Sequence, residues 1–180
     1  MTISAQMHAN LLIPTSPVFI EPACHEDYQA ISAIYNEYIL QGDTTMEEDL
    51  FDADRIQRWV SGFHDREKLF VLKNNEHFVI GWGVIKRFSD RAGYRTTCET
   101  SVYLTKRECG KGYGTIIKKH IFEECQKMGY HHLVARVLAS NKASIAYNIR
   151  LGYEIAGIQK EVGIKNGQWE DVVLMQYIFK

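Results

Sequence analysis

The sequence predicts an α/β protein built on a mixed central sheet, and three features of its 180 residues support this class. Short apolar or alternating runs, typical of strands, are separated by longer runs with helical spacing. Two apolar runs flank the turn Asn-Asn-Glu at 74–76, which predicts a β-hairpin. A glycine-rich loop, RECGKGYGT at 107–115, joins a strand pattern to a helix pattern. The predicted order is β-α-α-β-β-β-α-β-α-β-β, a layered arrangement.

The first third of the chain contains one predicted strand and two predicted helices. VFIEPA (18–23) is the strand, and HEDYQAISAIYNEYI (25–39) carries apolar residues at helical spacing. A polar, acidic connector, GDTTMEED (42–49), leads to DADRIQRWVSGF (52–63). The last segment is expected to form a short helix opened by an aspartate cap.

The middle of the chain is expected to form three strands. KLFVLKNNEHFVIGWGVIKRF (68–88) is the predicted hairpin, and RTTCETSVYL (95–104) is the next strand. Because side chains alternate along a strand, Glu99, Ser101 and Tyr103 are expected on one face of the sheet.

The helix after the glycine loop begins the last part of the fold. Its charged residues Lys118, Lys119, Glu123 and Lys127 are expected mostly outside its apolar stripe. That stripe consists of Tyr113, Ile116, Ile117, Ile121, Cys125 and Met128. A strand (131–140), a short helix ending at Gly152 and two strands around the turn KNGQ (165–168) complete the prediction.

The composition excludes several classes of protein. A hydrophobic fraction of 46%, a charged fraction of 24% and a net charge of −1 are typical of a soluble globular protein without a field for nucleic acid or membranes. The four cysteines form no C-x-x-C pair, so we expect neither a zinc site nor a disulfide framework, and no metal. Residues 1–17 lack the features of a signal peptide and are expected to be a flexible arm on a cytoplasmic protein with one domain, 18–180.

The glycine loop fits an anion site better than a bare turn. A Walker loop requires Gly-Lys followed by Ser or Thr, whereas Gly112 follows Lys111 here. The dinucleotide fingerprint requires a different glycine spacing and an acidic residue after the next strand. Glycines at 110, 112 and 114, directly before a helix, instead predict a pyrophosphate cradle of backbone N–H groups, with Lys111 adding positive charge.

Motifs from residue 18 to the C-terminus resemble the GCN5-related N-acetyltransferase superfamily. Val102-Tyr103-Leu104 is similar to the strand motif V-x-V/L, and 109–114 is similar to the pyrophosphate loop R/Q-x-x-G-x-G/A. The segment 141–153 resembles the N-x-x-S/A…L-G-F/Y helix of that superfamily. The resemblance implies an α/β fold in which acetyl-CoA lies in a cleft between splayed strands.

Further motifs resemble the phosphinothricin and methionine sulfoximine acetyltransferases of this superfamily. TTCETSVYL (96–104) is similar to their strand T-x-E-x-S/T-V-Y-V, and GIKNGQWEDVVLMQ (163–176) is similar to their C-terminal motif. TTMEED (44–49) stands where those proteins carry an acidic segment. The resemblance implies an N-acetyltransferase for the α-amino group of a small amino acid or analogue, acting as a homodimer by direct transfer in a ternary complex.

The resemblance also implies roles for individual residues. It implies that Glu99 is the general base and that Arg91, Gly93 and Tyr94 contact the substrate. Trp169 and Asp171 either close the substrate pocket and the dimer or simply pack the C-terminal hairpin. Acetyl-CoA is the expected co-substrate, and its implied contacts are Val102, Tyr103, Leu104, Gly110, Lys111, Gly112, Tyr113, Gly114, Thr115 and Asn141.

Two positions depart from the pattern of the superfamily. Cys109 replaces the Arg or Gln that opens the pyrophosphate loop, and without a His/Asp relay it is not expected to be a nucleophile. Asn148 stands where many members carry a Tyr or His that protonates the leaving thiolate. Tyr147 points about 100° away on the helix, so the general-acid role is left unassigned.

Two other functions stay open from the sequence. One is acetylation of a protein N-terminus or a polyamine, and an acidic groove would favour the polyamine. The other is an acyl-CoA-binding module with weak catalysis, which Cys109 and Asn148 leave open.

Overall fold

A computed structural model describes residues 17–180, so the predicted flexible arm lies outside the described residues except for Pro17. The predicted order of strands and helices is confirmed. The strands are β1 Val18–Pro22, β2 Lys68–Asn74, β3 Val79–Arg87, β4 Thr97–Leu104, β5 His132–Leu138, β6 Glu154–Lys165 and β7 Gln168–Ile178. The helices are α1 Tyr28–Gln41, α2 Ala53–Ser61, α3 Tyr113–Lys127 and α4 Lys142–Arg150.

The seven strands form one sheet in the order β1-β2-β3-β4-β5-β7-β6. Every neighbouring pair is antiparallel except β4 and β5, which α3 connects as a parallel pair. Helices α1 and α2 pack on one face of the sheet, where Ile31 and Ile56 are fully buried against β2 and β3. Helix α3 packs on the opposite face through Ile117 and Ile121.

Strands β4 and β5 pair over a short distance and then separate. Only Thr97, Cys98 and Glu99 of β4 pair with β5, opposite 132–134. Beyond Glu99, β4 stays paired with β3 as far as Leu104, while β5 stays paired with β7 as far as Leu138. Each strand keeps one neighbour, so the sheet is continuous and a wedge-shaped cleft opens between the two strands.

The connector between α1 and α2 is held by hydrogen bonds to α1 and to Lys165 at the end of β6. The Asn36 side chain exchanges two hydrogen bonds of 2.8 Å with the backbone of Phe51. The Thr45 hydroxyl is 2.8 Å from that of Tyr35, and the Lys165 ammonium donates to the carbonyl of Glu47. The predicted aspartate cap of α2 is confirmed, because Asp52 accepts the Arg55 N–H at 2.7 Å. These bonds place the connector and α2 against the sheet.

The expectation for Lys118 is wrong in the structure. Lys118 is only 3% exposed and packs towards β4, although it was expected on the charged side of α3. It lies three residues before Ile121 and seven before Cys125, which are both fully buried. Residues at these spacings share one side of a helix, so Lys118 belongs to the apolar stripe.

Candidate active site

The wedge between β4 and β5 forms a cleft of about 90 Å³. Its walls are 100–103 of β4 and 135–137 of β5. Lys118 of α3 and Tyr147 and Asn148 of α4 also line it. At the two ends of the β3–β4 pairing, the Phe88 N–H donates to the Thr97 carbonyl and the Thr105 N–H donates to the Ile80 carbonyl. The pairing with β3 therefore uses the backbone groups of the odd-numbered residues of β4. The Thr100 carbonyl and the N–H and C=O groups of Val102 therefore point towards the cleft, whereas the Thr100 N–H completes the pairing with β5.

The glycine loop presents free backbone donors at the beginning of α3. Gly110 and Gly112 have φ values of +77° and +88°, which non-glycine residues rarely adopt. The N–H groups of 110–114 donate to no residue within the described part of the chain, whereas Thr115 N–H donates to the Gly112 carbonyl at 3.0 Å. A side chain at position 110 would meet no atom within 4 Å, so open space lies beside the loop. The loop can therefore bind a phosphate group, which fits coenzyme A.

A second cavity, of about 340 Å³, lies on the side of β4 that faces α1 and α2. Its charged residues are Glu47, Arg55, Lys86 and Glu99. The other lining residues are mostly aromatic: Tyr35, Phe51, Trp59, Trp82 and Tyr103, with Val84 and Ser101. The rings of Trp82 and Tyr103 stack with centroids 4.5 Å apart. This cavity combines an apolar wall with charges of both signs.

Two side chains of this cavity have polar atoms available for a ligand. The Trp82 indole N–H is buried and donates to no group among residues 17–180. The Arg55 guanidinium pairs with Glu47 at 3.0 Å and lies 3.7 Å from the Phe51 ring centre. The Lys86 ammonium is instead bound at 2.7 Å to the buried carboxylate of Glu67.

Glu99 lies where the two cavities adjoin. It lines the second cavity, it is the last residue of β4 paired with β5, and the next residue, Thr100, lines the cleft. Its carboxylate forms an ion pair of 2.5 Å with Arg136 across the separating strands. Burial raises the pKa of Glu99, and Arg136 partly opposes that rise. Because burial favours its protonated form, this carboxylate is suited to act as a general base.

The structure brings together most of the residues predicted to contact the co-substrate. Val102 and Tyr103 line the cleft, and Leu104 ends the same strand with its carbonyl accepting a 2.6 Å hydrogen bond from Tyr38. Asn141 has internal partners, because it caps α4 by accepting the Ser144 N–H at 3.0 Å and donates to the Thr44 hydroxyl at 3.1 Å. The loop residues lie together at the start of α3, in the sequence Gly110, Lys111, Gly112, Tyr113, Gly114 and Thr115.

The predicted substrate residues lie elsewhere. Arg91, Gly93 and Tyr94 are exposed in the loop before β4, and none of them lines either cavity. Tyr94 packs edge-on against Phe88, with ring centres 5.3 Å apart.

The two residues of the C-terminal motif take different environments. Asp171 pairs with Lys160 at 2.6 Å and accepts the Glu161 N–H at 2.9 Å, which fixes a bulge of the β6–β7 hairpin. Trp169 is 63% exposed on the same hairpin. The contacts of the Asp171 carboxylate thus lie within the hairpin, and the Trp169 ring is uncovered.

The two residues that depart from the superfamily pattern, Cys109 and Asn148, have different environments. The Cys109 thiol is exposed, 3.5 Å from the Tyr38 hydroxyl. Asn148 is buried and its amide donates to the Ser144 carbonyl at 2.9 Å. The Tyr147 hydroxyl is buried and has no hydrogen-bond partner in the described region, and burial raises its pKa.

Several residues of the site were not found from the sequence. Arg136 is a lone charge in the apolar strand pattern VARVL, which was a usable signal. Arg55 and Lys86 lie on a helix and a strand without a recognisable motif, so only the fold brings them to the second cavity. Within 17–180, no cluster of three His, Cys, Asp or Glu side chains suits a metal ion, and no described helix is long and apolar enough to span a membrane.

Comparison with known proteins agrees with this geometry. Residues 20–174 match the family model described as "Acetyltransferase (GNAT) domain". The L-methionine sulfoximine/L-methionine sulfone acetyltransferase of Pseudomonas aeruginosa is 32% identical over 154 residues, covering 83% of this chain and 88% of that protein.

Two solved structures are similar over most of both chains. One is a phosphinothricin acetyltransferase of Sinorhizobium meliloti in complex with acetyl-CoA, with a TM-score of 0.83, 28% identity and coverage of 89% of this chain and 88% of the other. The second is a ribosomal-protein-alanine N-acetyltransferase of Brucella melitensis, with a TM-score of 0.84, 31% identity and coverage of 89% and 99%. The chain described here belongs to the GNAT acetyltransferase family, with acetyl-CoA as its co-substrate.

Proposed function

We propose that this protein transfers the acetyl group of acetyl-CoA to the α-amino group of a small amino acid or analogue, of the phosphinothricin, methionine sulfoximine or methionine sulfone type. The observation that carries the proposal is the position of Glu99 between a cleft suited to acetyl-CoA and a cavity with charges of both signs. The Pseudomonas aeruginosa and Sinorhizobium meliloti relatives support this substrate class. We also propose that residues 18–180 act as one cytoplasmic acetyltransferase domain.

The glycine loop and β4 bind the co-substrate in this proposal. The free N–H groups of 110–114, at the positive end of the α3 dipole, bind the pyrophosphate, and Lys111 adds charge. The inward carbonyl of Thr100, the N–H and C=O groups of Val102 and the N–H group of Leu104 pair with the amides of the pantetheine arm. This arrangement directs the thioester towards the closed end of the cleft, near Glu99.

Glu99 acts as the general base, directly or through one water molecule. It takes a proton from the substrate ammonium, and the free amine attacks the thioester carbonyl in a ternary complex. Covalent transfer through cysteine has no support, because Cys98 is fully buried and its contact with Cys125 and its burial raise its pKa. Cys109 lies in the glycine loop, away from Glu99 in the sequence and outside both cavity linings.

The second cavity suits an amino acid better than a polyamine. Arg55 provides a cationic group and the Trp82 N–H a further donor for an α-carboxylate, while Lys86 stays paired with Glu67. The aromatic wall packs against an apolar or sulfur-containing side chain. A polyamine would instead favour a cavity lined by acidic groups alone. Arg91, Gly93 and Tyr94 stay in the proposal as secondary contacts at the rim.

The Brucella melitensis structure favours one further candidate, the N-terminal amine of a protein. The chain is as similar to that protein as to the amino-acid acetyltransferases. A peptide that begins with alanine therefore belongs beside the amino acids in any test.

The first prediction is thiol release from acetyl-CoA with methionine sulfoximine, methionine sulfone or phosphinothricin. Glu99→Gln should lower kcat by about 10²-fold or more, because the general base is lost, while acetyl-CoA affinity stays the same. The measurement is thiol release with a panel of amino acids, spermidine and the alanine peptide. Turnover of the peptide alone would replace the amino-acid proposal, and tight coenzyme A binding without any turnover would indicate a binding module.

The second prediction concerns the ion pair of Glu99. Arg136→Gln removes the cation that opposes the rise of the Glu99 pKa, so this pKa should increase. The base is active when deprotonated, and the acid limb of the kcat/KM profile should therefore move to higher pH. Lys142→Gln, an exposed substitution at the beginning of α4, is the control. An unchanged acid limb in Arg136→Gln would show that Glu99 is not the titrating base.

The third prediction tests how the carboxylate is bound. Arg55→Met should raise KM for the amino acid by about 10- to 100-fold, since a charge-assisted hydrogen bond is lost. The same variant should not alter kcat/KM for the corresponding amine without a carboxylate. Arg91→Met is the matched control. If Arg91→Met raises KM for the amino acid more than Arg55→Met does, the carboxylate contact is assigned to the loop before β4.

We also propose that the protein is a homodimer formed through the β6–β7 hairpin. β6 is an edge strand, and the hairpin exposes five large apolar side chains by about half or more. They are Ile155, Ile158, Val162, Ile164 and Trp169. An exposed edge with so much apolar surface is typical of an interaction site.

The fourth prediction tests this interface. Ile158→Glu should shift the protein from dimer to monomer in sedimentation velocity, because a charge is placed in an apolar contact. Phe78→Glu, at another strongly exposed apolar position, should leave the oligomeric state unchanged. A wild-type protein that sediments as a monomer would contradict the proposal.

A further inference from the structure

Lys118 carries a buried ammonium group at the closed end of the cleft between β4 and β5. The residue is 3% exposed, and it lines the cleft beside Thr100 and Asn148. Its ammonium donates one 2.7 Å hydrogen bond, to the Thr100 hydroxyl. It forms no ion pair with any described residue. A buried charge without a counterion is unfavourable unless something else compensates it.

The groups that face Lys118 from the surrounding elements are neutral. They are the thiols of Cys98 on β4 and Cys125 on α3 and the phenol of Tyr153 before β6. The Tyr153 hydroxyl is hydrogen-bonded to Thr100 at 3.0 Å, and burial raises its pKa. Arg136, the charged residue of β5 at this cleft, is already paired with Glu99. Burial lowers the pKa of Lys118 to about 8, so the group can release a proton near neutral pH.

The other side chains of the cleft are poor proton donors for a leaving thiolate. The Asn148 amide is not an acid and is bonded to the Ser144 carbonyl. The Tyr147 hydroxyl lies towards the glycine loop, because a Cβ atom at position 114 would be 3.3 Å from its oxygen. Lys118 instead lies at the end where β4 and β5 meet, beside Thr100, the residue that follows Glu99.

We propose that the Lys118 ammonium protonates the thiolate of coenzyme A as it leaves, at the closed end of the cleft. The proposal rests on the acetyl transfer proposed above. Glu99 takes one proton from the substrate ammonium, the amine nitrogen bonds to the carbonyl carbon, and the carbon–sulfur bond breaks with its electrons moving to sulfur. The sulfur accepts a proton from Lys118, and the attacking nitrogen loses its second proton to solvent. Lys118 recovers a proton from water and Glu99 releases its own, so one proton is released per turnover.

The kinetic test is Lys118→Met, which keeps the length and apolar stem of the side chain. The rate of thiol release in a single turnover should fall by about 10²-fold, since the proton donor is lost. The wild-type rate should decline above about pH 8, as Lys118 loses its proton, and the variant should lack this alkaline limb. Lys119→Met, an exposed neighbour on the same helix, should behave as the wild type. An unchanged rate in Lys118→Met would overturn the proposal, and loss of the alkaline limb in Tyr147→Phe instead would assign the role to Tyr147.

A binding test separates this proposal from the proposed function. Wild-type protein should bind coenzyme A more tightly than desulfo-coenzyme A at pH 7, where Lys118 carries its proton and can donate to the bound sulfur. Lys118→Met should lose about 10-fold of this preference and bind desulfo-coenzyme A as the wild type does. Equal preference in both proteins would overturn the role of Lys118, even if acetyl transfer is confirmed. If Lys118→Met loses the preference but the wild-type protein acetylates no amine, the contact between Lys118 and the thiol is supported and the amino-acid function is rejected.

Folding provides the control for the variant. Lys118 has a pKa of about 8 in the folded protein, against its usual 10.5 in the unfolded chain. Below pH 8 the lysine is charged in both states, so the folded state bears the full cost of burying that charge. Between pH 8 and 10.5 the folded protein releases the proton first, and the cost declines. Lys118→Met should therefore unfold at a higher urea concentration than the wild type at pH 7, and the difference should narrow as the pH rises above 8. A variant that is less stable at pH 7 would indicate that Lys118 is a structural group and would contradict its role as an uncompensated acid.

Discussion

The separation of β4 from β5 after Glu99 is the constraint on which the other features of this protein depend. Parallel pairing normally continues along a whole strand, but here it ends after three residues while each strand keeps its other neighbour. The Thr100 carbonyl and the backbone groups of Val102 are thereby left without strand partners and line the cleft. Unpaired backbone groups in a buried position require a partner, so the cleft is suited to an extended ligand with amide groups. The sheet thus forms a binding site by leaving one pairing incomplete.

The same separation determines which side chains can act together. Because side chains alternate along β4, the Glu99 carboxylate faces the second cavity while the side chain of the next residue, Thr100, faces the cleft and Lys118. Arg136 spans the widening gap and keeps the Glu99 carboxylate in place through an ion pair. Residues from α2, α3 and β5 therefore meet around one short segment of β4, although they are far apart in the sequence.

The order of elements was predictable because each segment carries its own local signal. The Asn-Gly turn of the last hairpin, the alternation around Glu99 and the glycines before α3 each determine local geometry. The second cavity was not predictable in the same way. Arg55 lies on a short surface helix and Lys86 at the end of an apolar strand, and only the packing of α2 against the sheet directs them to one space. The sequence prediction for Lys118 is wrong for a related reason. Its charge favours the solvent side of α3, whereas its spacing from Ile121 puts it on the buried side.

Burial has opposite effects on the two titrating groups that adjoin the reaction centre. It raises the pKa of Glu99 and lowers that of Lys118, since removal from water disfavours the charged form of each. Both shifts are towards neutrality, which is where a base that accepts a proton and an acid that donates one are effective at the same pH. The two groups lie on different sides of β4, so neither neutralises the other directly. In the proposed reaction the fold separates an acid from a base by one strand and adjusts both by the same desolvation, with Arg136 limiting the shift of the base.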